Sequence, residues 1–242
     1  MATGKTLIEL ERISAVLAEG CDSLRFGSKV KAVYNPLVYA ARPHKRYLAL
    51  AGAAPKKVIF LGMNPGPWGM AQTGVPFGEV AAAREWLGVH AAVDKPAVEH
   101  PKRPIEGFAC ARSEVSGRRL WGLFRERFKT PGEFFREHYV ANYCPLVFMD
   151  EGGANITPDK LPAHETAPLF ELCDRALADT IKLLKPDWVI GVGGFAKKRI
   201  DSLRDRPFSA ARILHPSPAS PRANAGWSEE ATKTLVALGV WN

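Results

Sequence analysis

Residues 57–62 read Lys-Val-Ile-Phe-Leu-Gly, and residues 63–79 continue as Met-Asn-Pro-Gly-Pro-Trp-Gly-Met-Ala-Gln-Thr-Gly-Val-Pro-Phe-Gly-Glu. A short apolar run that ends at glycine and proline is typical of a buried strand in a parallel sheet. Residues 62–79 contain three prolines, which stiffen the loop after this strand, and five glycines, which leave parts of its backbone without side chains. We therefore expect another group to approach this backbone closely.

Three later apolar runs, over residues 138–144, 188–193 and 211–215, have the same character as the first. Helical patterns separate or flank these strands, and they predict helices over residues 5–19, 79–87, 166–184, 195–204 and 228–238. Alternating strands and helices predict an α/β fold whose parallel sheet is covered on both faces. No repeat, low-complexity tract or flexible linker divides the sequence, so we expect a single domain over residues 1–242.

The composition is that of an ordinary globular protein, with 46% apolar and 24% charged residues. This balance excludes a disordered chain, a collagen and a coiled coil. No apolar run approaches the roughly 20 residues of a membrane span. The amino-terminal segment carries three glutamates where an export signal has a cationic region. We therefore expect a cytoplasmic protein that does not bind a membrane.

The four cysteines, Cys21, Cys110, Cys144 and Cys173, are widely spaced and form no Cys-x-x-Cys pair. This spacing disfavours both a zinc site and an iron–sulfur cluster. Isolated cysteines fit a reducing interior, where they usually pack as small apolar side chains. We expect neither a metal ion nor another cofactor.

The sequence is basic, with 33 Lys and Arg against 25 Asp and Glu. Residues 101–130 hold eight basic residues and three glutamates, and residues 197–212 hold six basic residues and two aspartates. Clustered basic residues favour a polyanionic partner, because neutralising phosphates releases counterions. A solvated basic face would have the same composition, so charge alone leaves both interpretations open.

Polar residues follow or end three of the predicted strands. Asn64 and Asn142 are amides at strand ends, and His215 stands at another strand end, before a proline-rich loop. Taken singly, each residue has a structural explanation: a turn, a backbone network, or a packed histidine. Ligands of parallel sheets bind beyond the carboxyl ends of the strands, however. Taken together, the three residues predict a narrow pocket built from two amides and an imidazole.

Two segments carry a family resemblance. Residues 62–80 and the sequence His-Pro-Ser-Pro at 215–218 resemble the two signature motifs of the single-strand-selective monofunctional uracil-DNA glycosylases, which are family 3 of the uracil-DNA glycosylase superfamily. Residues 34–40, 140–146 and 224–227 are similar to further segments of that family. The resemblance spans nearly the whole chain. It implies a three-layer α/β/α sandwich around a short, mainly parallel sheet, and the lack of an added tail favours a bacterial-type member.

The resemblance also implies an activity, which is hydrolysis of the N-glycosidic bond of deoxyuridine and of some 5-substituted uracils in DNA. Asn64 matches the residue that positions the attacking water, and His215 matches the histidine that stabilises the departing base. Phe77 matches the aromatic residue that stacks on uracil, and Asn142 matches the amide that reads its Watson–Crick edge. The reaction leaves an abasic site, needs no metal or cofactor, and is carried out by a monomer. Met63 and Gly66 match two further positions of the family, which line the base.

A base inside a duplex must leave the stack before it can enter such a pocket. The loop over residues 216–222 is the expected wedge, and its predicted DNA contacts are Ser217, Pro218, Ala219, Ser220 and Arg222. Some family members carry a bulky arginine at the position of Ala219, and alanine cannot fill the vacated stack. We therefore expect Arg222 to take over this function, and we expect both single-stranded and double-stranded uracil-containing DNA to be substrates.

Four other functions compete with this interpretation. A mismatch-directed thymine or uracil glycosylase shares the Asn-Pro-Gly turn but lacks the histidine that His215 represents. A glycosylase with an iron–sulfur cluster is disfavoured by the cysteine spacing, and a nucleosidase by the lack of a carboxylate cluster at the strand ends. A non-catalytic nucleic-acid-binding module would leave both motifs unused. The sequence does not rank uracil against hydroxymethyluracil, xanthine or hypoxanthine, nor single strands against duplexes.

Overall fold

A computed structural model describes residues 2–242. The strands are β1 (Ala32–Tyr34), β2 (Val58–Gly62), β3 (His138–Asn142), β4 (Val147–Met149), β5 (Asn155–Ile156), β6 (Trp188–Val192) and β7 (Ser209–Ile213). The α-helices are α1 (Ala2–Asp22), α2 (Pro36–Tyr39), α3 (Ala41–Leu50), α4 (Met70–Thr73), α5 (Val115–Phe128), α6 (Pro131–Glu137), α7 (Ala163–Leu184), α8 (Gly194–Asp201) and α9 (Pro221–Ala237).

The main sheet is parallel and has the strand order β3-β2-β6-β7. Every residue of β2 is buried, because this strand has a neighbour on each side and helices over the sheet. The chain leaves β2 toward β3 on one side and later crosses to β6 and β7 on the other. This reversal opens a crevice at the carboxyl ends of the strands, where ligands of α/β sheets bind.

The four predicted strands are all present, with shifted ends. The largest shift is in β7, which covers Ser209–Ile213 instead of residues 211–215. His215 therefore lies two residues beyond the strand, in the loop that follows it. In the register of the sheet Gly62 pairs with Asn142, so the loop after β2 begins beside the Asn142 side chain.

The helices predicted over residues 5–19, 166–184 and 195–204 correspond to α1, α7 and α8. The prediction over 79–87 is shortened to a π-helical turn, Ala82–Trp86. The helix predicted over residues 228–238 corresponds to the second part of α9, which follows a kink at Gly226, where φ is +151°. The first part of α9 was not predicted: it begins at Pro221, and Ser220 caps it by accepting a hydrogen bond from the backbone N–H of Ala223.

A second sheet, antiparallel in the order β1-β4-β5, and the helix pair α5 and α6 were not predicted. Strands of two or three residues are too short to show a periodic pattern. Helix α5 packs against α6 and α9, while α1 packs against α7. Together the helices and the main sheet form the three-layer α/β/α arrangement.

Aromatic packing connects this core to the loop after β2. The rings of Phe124 and Phe134 stack with their centroids 4.5 Å apart, and Trp121 packs edge-on to both. The indole N–H of Trp121 donates to the carbonyl of Pro76 at 3.1 Å. Burial of each such ring stabilises the fold by about 1.5–3 kcal/mol. The loop is thus tied to the buried aromatic core.

All four cysteines are buried and carry free thiols. Among residues 2–242 no group of three or more His, Cys, Asp and Glu side chains is arranged to hold a metal ion. Within the same range, no helix has the length and apolar character needed to cross a lipid bilayer.

Candidate active site

A cavity of about 340 Å³ lies at the carboxyl ends of the parallel strands. It brings together all six residues predicted to perform the chemistry or to bind the base, and Ser217 of the predicted DNA-binding loop also lines it. The six are Met63, Asn64, Gly66, Phe77, Asn142 and His215. The lining residues that the sequence analysis did not single out are Pro65, Met70, Glu114, Ser116, Asn155 and Thr157.

The Asn64 side chain is oriented by two backbone carbonyls. Its amide nitrogen donates to the carbonyl of Leu146 at 3.1 Å and to the carbonyl of Pro65 at 3.3 Å. Carbonyl oxygens only accept, so they must face the NH₂ group and the side-chain oxygen of Asn64 must point elsewhere. The side chain is thereby prepared to accept a hydrogen bond from a water molecule.

Phe77 and Asn142 converge on Gly62. A methyl group at Gly62 would overlap with the Asn142 side-chain oxygen and would lie 2.5 Å from Cε2 of Phe77. The Asn142 amide nitrogen donates to the sulfur of Met70 at 3.3 Å, and a thioether is a weak acceptor. The polar atoms of Asn142 therefore have no strong hydrogen-bond partner among residues 2–242. Of the two explanations for an amide at this strand end, this favours contact with a ligand over a hydrogen-bond network with the backbone.

The backbone of Phe77 has a φ of +53°, in the left-handed region. This conformation is unusual for a bulky residue and costs on the order of 1–3 kcal/mol. Hydrogen bonds on both sides hold it: the N–H of Gly78 donates to the carbonyl of Val75 at 2.8 Å, and Pro76 accepts from Trp121. The aromatic ring is thus fixed before any base arrives.

His215 lies across the cavity from the loop after β2, and its ring centroid is 6.1 Å from that of Phe77. Burial lowers the pKa of His215 to about 4. The imidazole is therefore neutral at pH 7, with one nitrogen able to donate and the other able to accept. The preceding carbonyl, of Leu214, accepts from the indole N–H of Trp227 at 2.6 Å, which anchors the start of the loop.

Arg119 on α5 holds the proline-rich loop. Its guanidinium donates to the carbonyls of Pro216 and Ser217 at 3.2 and 3.3 Å, and to the side-chain oxygen of Asn224 at 2.9 Å. Asn224 in turn donates to the carbonyl of Pro218 at 2.9 Å. The loop is thus held between α5 and α9. These contacts give Asn224 a structural role, whereas residues 224–227 were noted in the sequence only for their resemblance to a family segment.

The five predicted DNA contacts have different positions on this loop. Ser217 faces the cavity, Pro218 and Ala219 are exposed at the tip, and Ser220 caps α9. Arg222 lies in the first turn of α9, where it pairs with Glu230 at 2.6 Å and is 74% exposed. An exposed pair contributes about 0–1 kcal/mol, so Arg222 can exchange Glu230 for a phosphate or a base at little cost.

Glu114 is the lining residue most at odds with expectation, since the sequence analysis identified no carboxylate at the site. It precedes α5, and its carboxylate accepts a hydrogen bond from the backbone N–H of Gly66. Burial and the neighbouring Glu79 raise its pKa to about 7. The glycines of the loop over residues 62–79 predicted that another group approaches its backbone closely. The sequence did not indicate that this group is Glu114.

Residues 51–236 match the family model described as the uracil DNA glycosylase superfamily. A single-strand-selective monofunctional uracil-DNA glycosylase from Rattus norvegicus is 46% identical over 95% of this chain and 82% of its own length. The Bos taurus protein of the same description is 48% identical over 90% of this chain and 81% of its own length.

A similar fold occurs in the crystal structure of Pedobacter heparinus SMUG2, with a TM-score of 0.63 and 16% identity over 94% of this chain and 97% of that chain. The relatives named above are mammalian, so the expected bacterial type stays a prediction. The sequence matches and the fold agree with the motifs quoted above. The chain belongs to the uracil-DNA glycosylase superfamily, in its single-strand-selective monofunctional group.

Proposed function

We propose that Asn64 and His215 catalyse hydrolysis of the bond between uracil and deoxyribose in DNA, and that Phe77 and Asn142 hold the everted base. The chain is a monofunctional uracil-DNA glycosylase of base excision repair, and its substrate is DNA. The observation that carries the residue assignment is the convergence of these four side chains on one cavity at the carboxyl ends of the parallel strands.

The reaction breaks the bond between C1′ and N1 and leaves the bonding electrons on uracil. A neutral His215 donates a hydrogen bond to the oxygen on which this charge develops, an interaction that is stronger in the transition state than in the ground state. The sugar becomes cationic as the base departs. Water that is oriented by the side-chain oxygen of Asn64 then adds to C1′ and releases a proton, which neutralises the uracil anion directly or through solvent. The products are an abasic site and free uracil.

Base selection is divided between a stacking residue and a hydrogen-bonding residue. Phe77 provides stacking of roughly 1–3 kcal/mol, which does not distinguish one base from another. Asn142 offers one donor and one acceptor to the edge of uracil, and cytosine would oppose them with the wrong groups. Met63 and Gly66 complete the lining of the pocket. Other bases are excluded mainly because they would leave the polar atoms of Asn142 without matching hydrogen-bond partners.

Basic side chains near the site support DNA binding. The guanidinium groups of Arg103 and Arg112 lie 5.1 and 4.6 Å from the ring of Trp68, in the same loop that carries Asn64. Both arginines belong to the first basic window. We propose that they contact phosphates next to the everted nucleotide, while the loop over residues 216–222 occupies the space that the base leaves.

Replacement of Arg222 by alanine is expected to slow cleavage of duplex DNA more than cleavage of single-stranded DNA. Only the duplex has a stack to be filled, and the alanine at position 219 cannot fill it. Single-turnover rates on a uracil oligonucleotide, alone and paired, measure the difference. Equal losses on the two substrates would reject Arg222 as the wedge. Lys233→Ala, also on α9, is the matched control.

The proposed function is tested with a panel of oligonucleotides that contain one uracil, one thymine mismatch or no lesion, together with free deoxyuridine. We expect uracil release from both single-stranded and paired DNA, with the single strand cleaved faster. A preference for free deoxyuridine would support a nucleosidase, and a preference for thymine mismatches would support the mismatch-directed class. The monomeric state and the cytoplasmic location stay predictions.

A further inference from the structure

The carboxylate of Glu114 fills a space that two glycines of the motif loop leave open. A methyl group on Gly66 would lie 2.5 Å from Oε1 of Glu114, and one on Gly69 would overlap with the same carboxylate. Glu114 is also a lining residue of the cavity that contains Asn64 and His215. The absence of side chains at both glycines is therefore accounted for by a neighbouring acid that reaches the active site.

A single peptide group connects this acid to Asn64. The peptide between Pro65 and Gly66 presents its carbonyl to the Asn64 side-chain amide, at 3.3 Å, and its N–H to the Glu114 carboxylate. Hydrogen bonds at the two ends of one peptide polarise each other and become stronger together. A negative charge at Glu114 therefore makes the Pro65 carbonyl a better acceptor for Asn64.

The surroundings of Glu114 allow its charge to change near neutral pH. Burial and the negative charge of Glu79 both raise its pKa, to about 7, against the opposing effect of the Gly66 N–H. The titratable group across the cavity is His215, whose pKa of about 4 leaves it neutral above pH 5. On the helix that Glu114 precedes, Arg118 is exposed and donates to Ser113, while Arg119 is engaged by the proline-rich loop.

We propose that ionised Glu114 is a positioning residue of this glycosylase, which acts through the Pro65–Gly66 peptide to hold the Asn64 amide in the orientation that receives water. Protonation of Glu114 weakens the hydrogen bond from Gly66 and loosens Asn64. Excision therefore speeds up as the pH rises through the pKa of Glu114. This inference rests on the proposed function of Asn64.

The test compares Glu114→Gln with the wild type in single-turnover excision from a single-stranded uracil oligonucleotide, between pH 5.5 and 8.5, with enzyme in excess. The variant keeps the shape of the side chain and removes its charge. We expect a rate about 10- to 100-fold lower at the upper end of this pH range. The wild-type rate should rise with pH and the variant rate should stay flat. Affinity for the oligonucleotide should be unchanged or slightly tighter.

Glu126→Gln is the matched control, because it makes the same chemical change at an exposed position of α5. The inference is overturned if Glu114→Gln keeps the wild-type rate or keeps the rise with pH. If that variant does not fold, Glu114→Asp decides: a slower rate that still rises with pH supports the inference, and a wild-type rate contradicts it. A wild-type protein inactive on uracil-containing DNA would instead reject the proposed function.

Discussion

Replacement of His215 by alanine is expected to lower the single-turnover rate of uracil excision by about 10²–10³-fold. In the proposed mechanism, the imidazole donates a hydrogen bond to the uracil oxygen that gains charge as the glycosidic bond breaks. Its pKa of about 4 means that this donor is neutral under working conditions. A neutral donor stabilises the developing anion without forming a tight ion pair that would delay release of the base.

The measurement is the rate of base release with enzyme in excess, on the same oligonucleotide for every variant. DNA affinity should change little, because His215 faces the cavity and carries no charge at neutral pH. His164→Ala is the matched control, since its side chain is 83% exposed. A loss of less than about tenfold would mean that another group stabilises the departing base.

The lowered pKa of His215 also has a consequence for stability. Between about pH 4 and the ordinary value of 6.5, the unfolded chain binds a proton that the folded chain does not. The free energy of unfolding therefore decreases as the pH falls through this range. His44 and His138 are buried with the same lowered pKa of about 4 and add to the effect, so acid sensitivity alone does not report on the active site.

The parts of the site that lie on or just after strands could be predicted from the sequence. Asn64, Asn142 and His215 each follow or end an apolar run, and parallel strands bring their carboxyl ends to one edge of a sheet. The predicted span of β7 lies two residues too late, yet His215 still lines the cavity, because the loop after the strand stays at the same edge of the sheet.

The contribution of Glu114 could not be predicted in the same way. It precedes a helix that was not predicted, and no strand carries it to the edge of the sheet. Its carboxylate contacts the backbone N–H of Gly66 and fills the space beside Gly69, and neither contact leaves a side-chain pattern in the sequence. The hydrogen bonds of Arg119 and Asn224 to the proline-rich loop were not predicted either. Arg119 lies in the first basic window, whose composition suggested binding to DNA phosphates and not to carbonyl groups of the protein itself.

Replacement of Asn64 by alanine is expected to reduce turnover by on the order of 10³-fold, because the reaction then loses the group that we propose orients the nucleophile. Binding of uracil-containing DNA should stay within about twofold of the wild type, since Phe77, Asn142 and the basic side chains are untouched. Single-turnover rates and fluorescence anisotropy separate the two effects. Asn242→Ala, at the exposed carboxyl end, is the matched control.

The Asn64→Asp variant tests the same side chain through its charge. Two carbonyls face the Asn64 amide nitrogen, and an ionised aspartate cannot donate to them. The aspartate must therefore be protonated or turn away from Leu146, and either change disturbs the oxygen that we propose orients water. A carboxylate that turns toward the cavity can still accept a proton, so we expect Asn64→Asp to retain more activity than Asn64→Ala, with the difference growing as the pH rises. An alanine variant with nearly wild-type turnover would show that water reaches C1′ without Asn64, and the orienting group would then have to be sought among the other polar residues of the cavity.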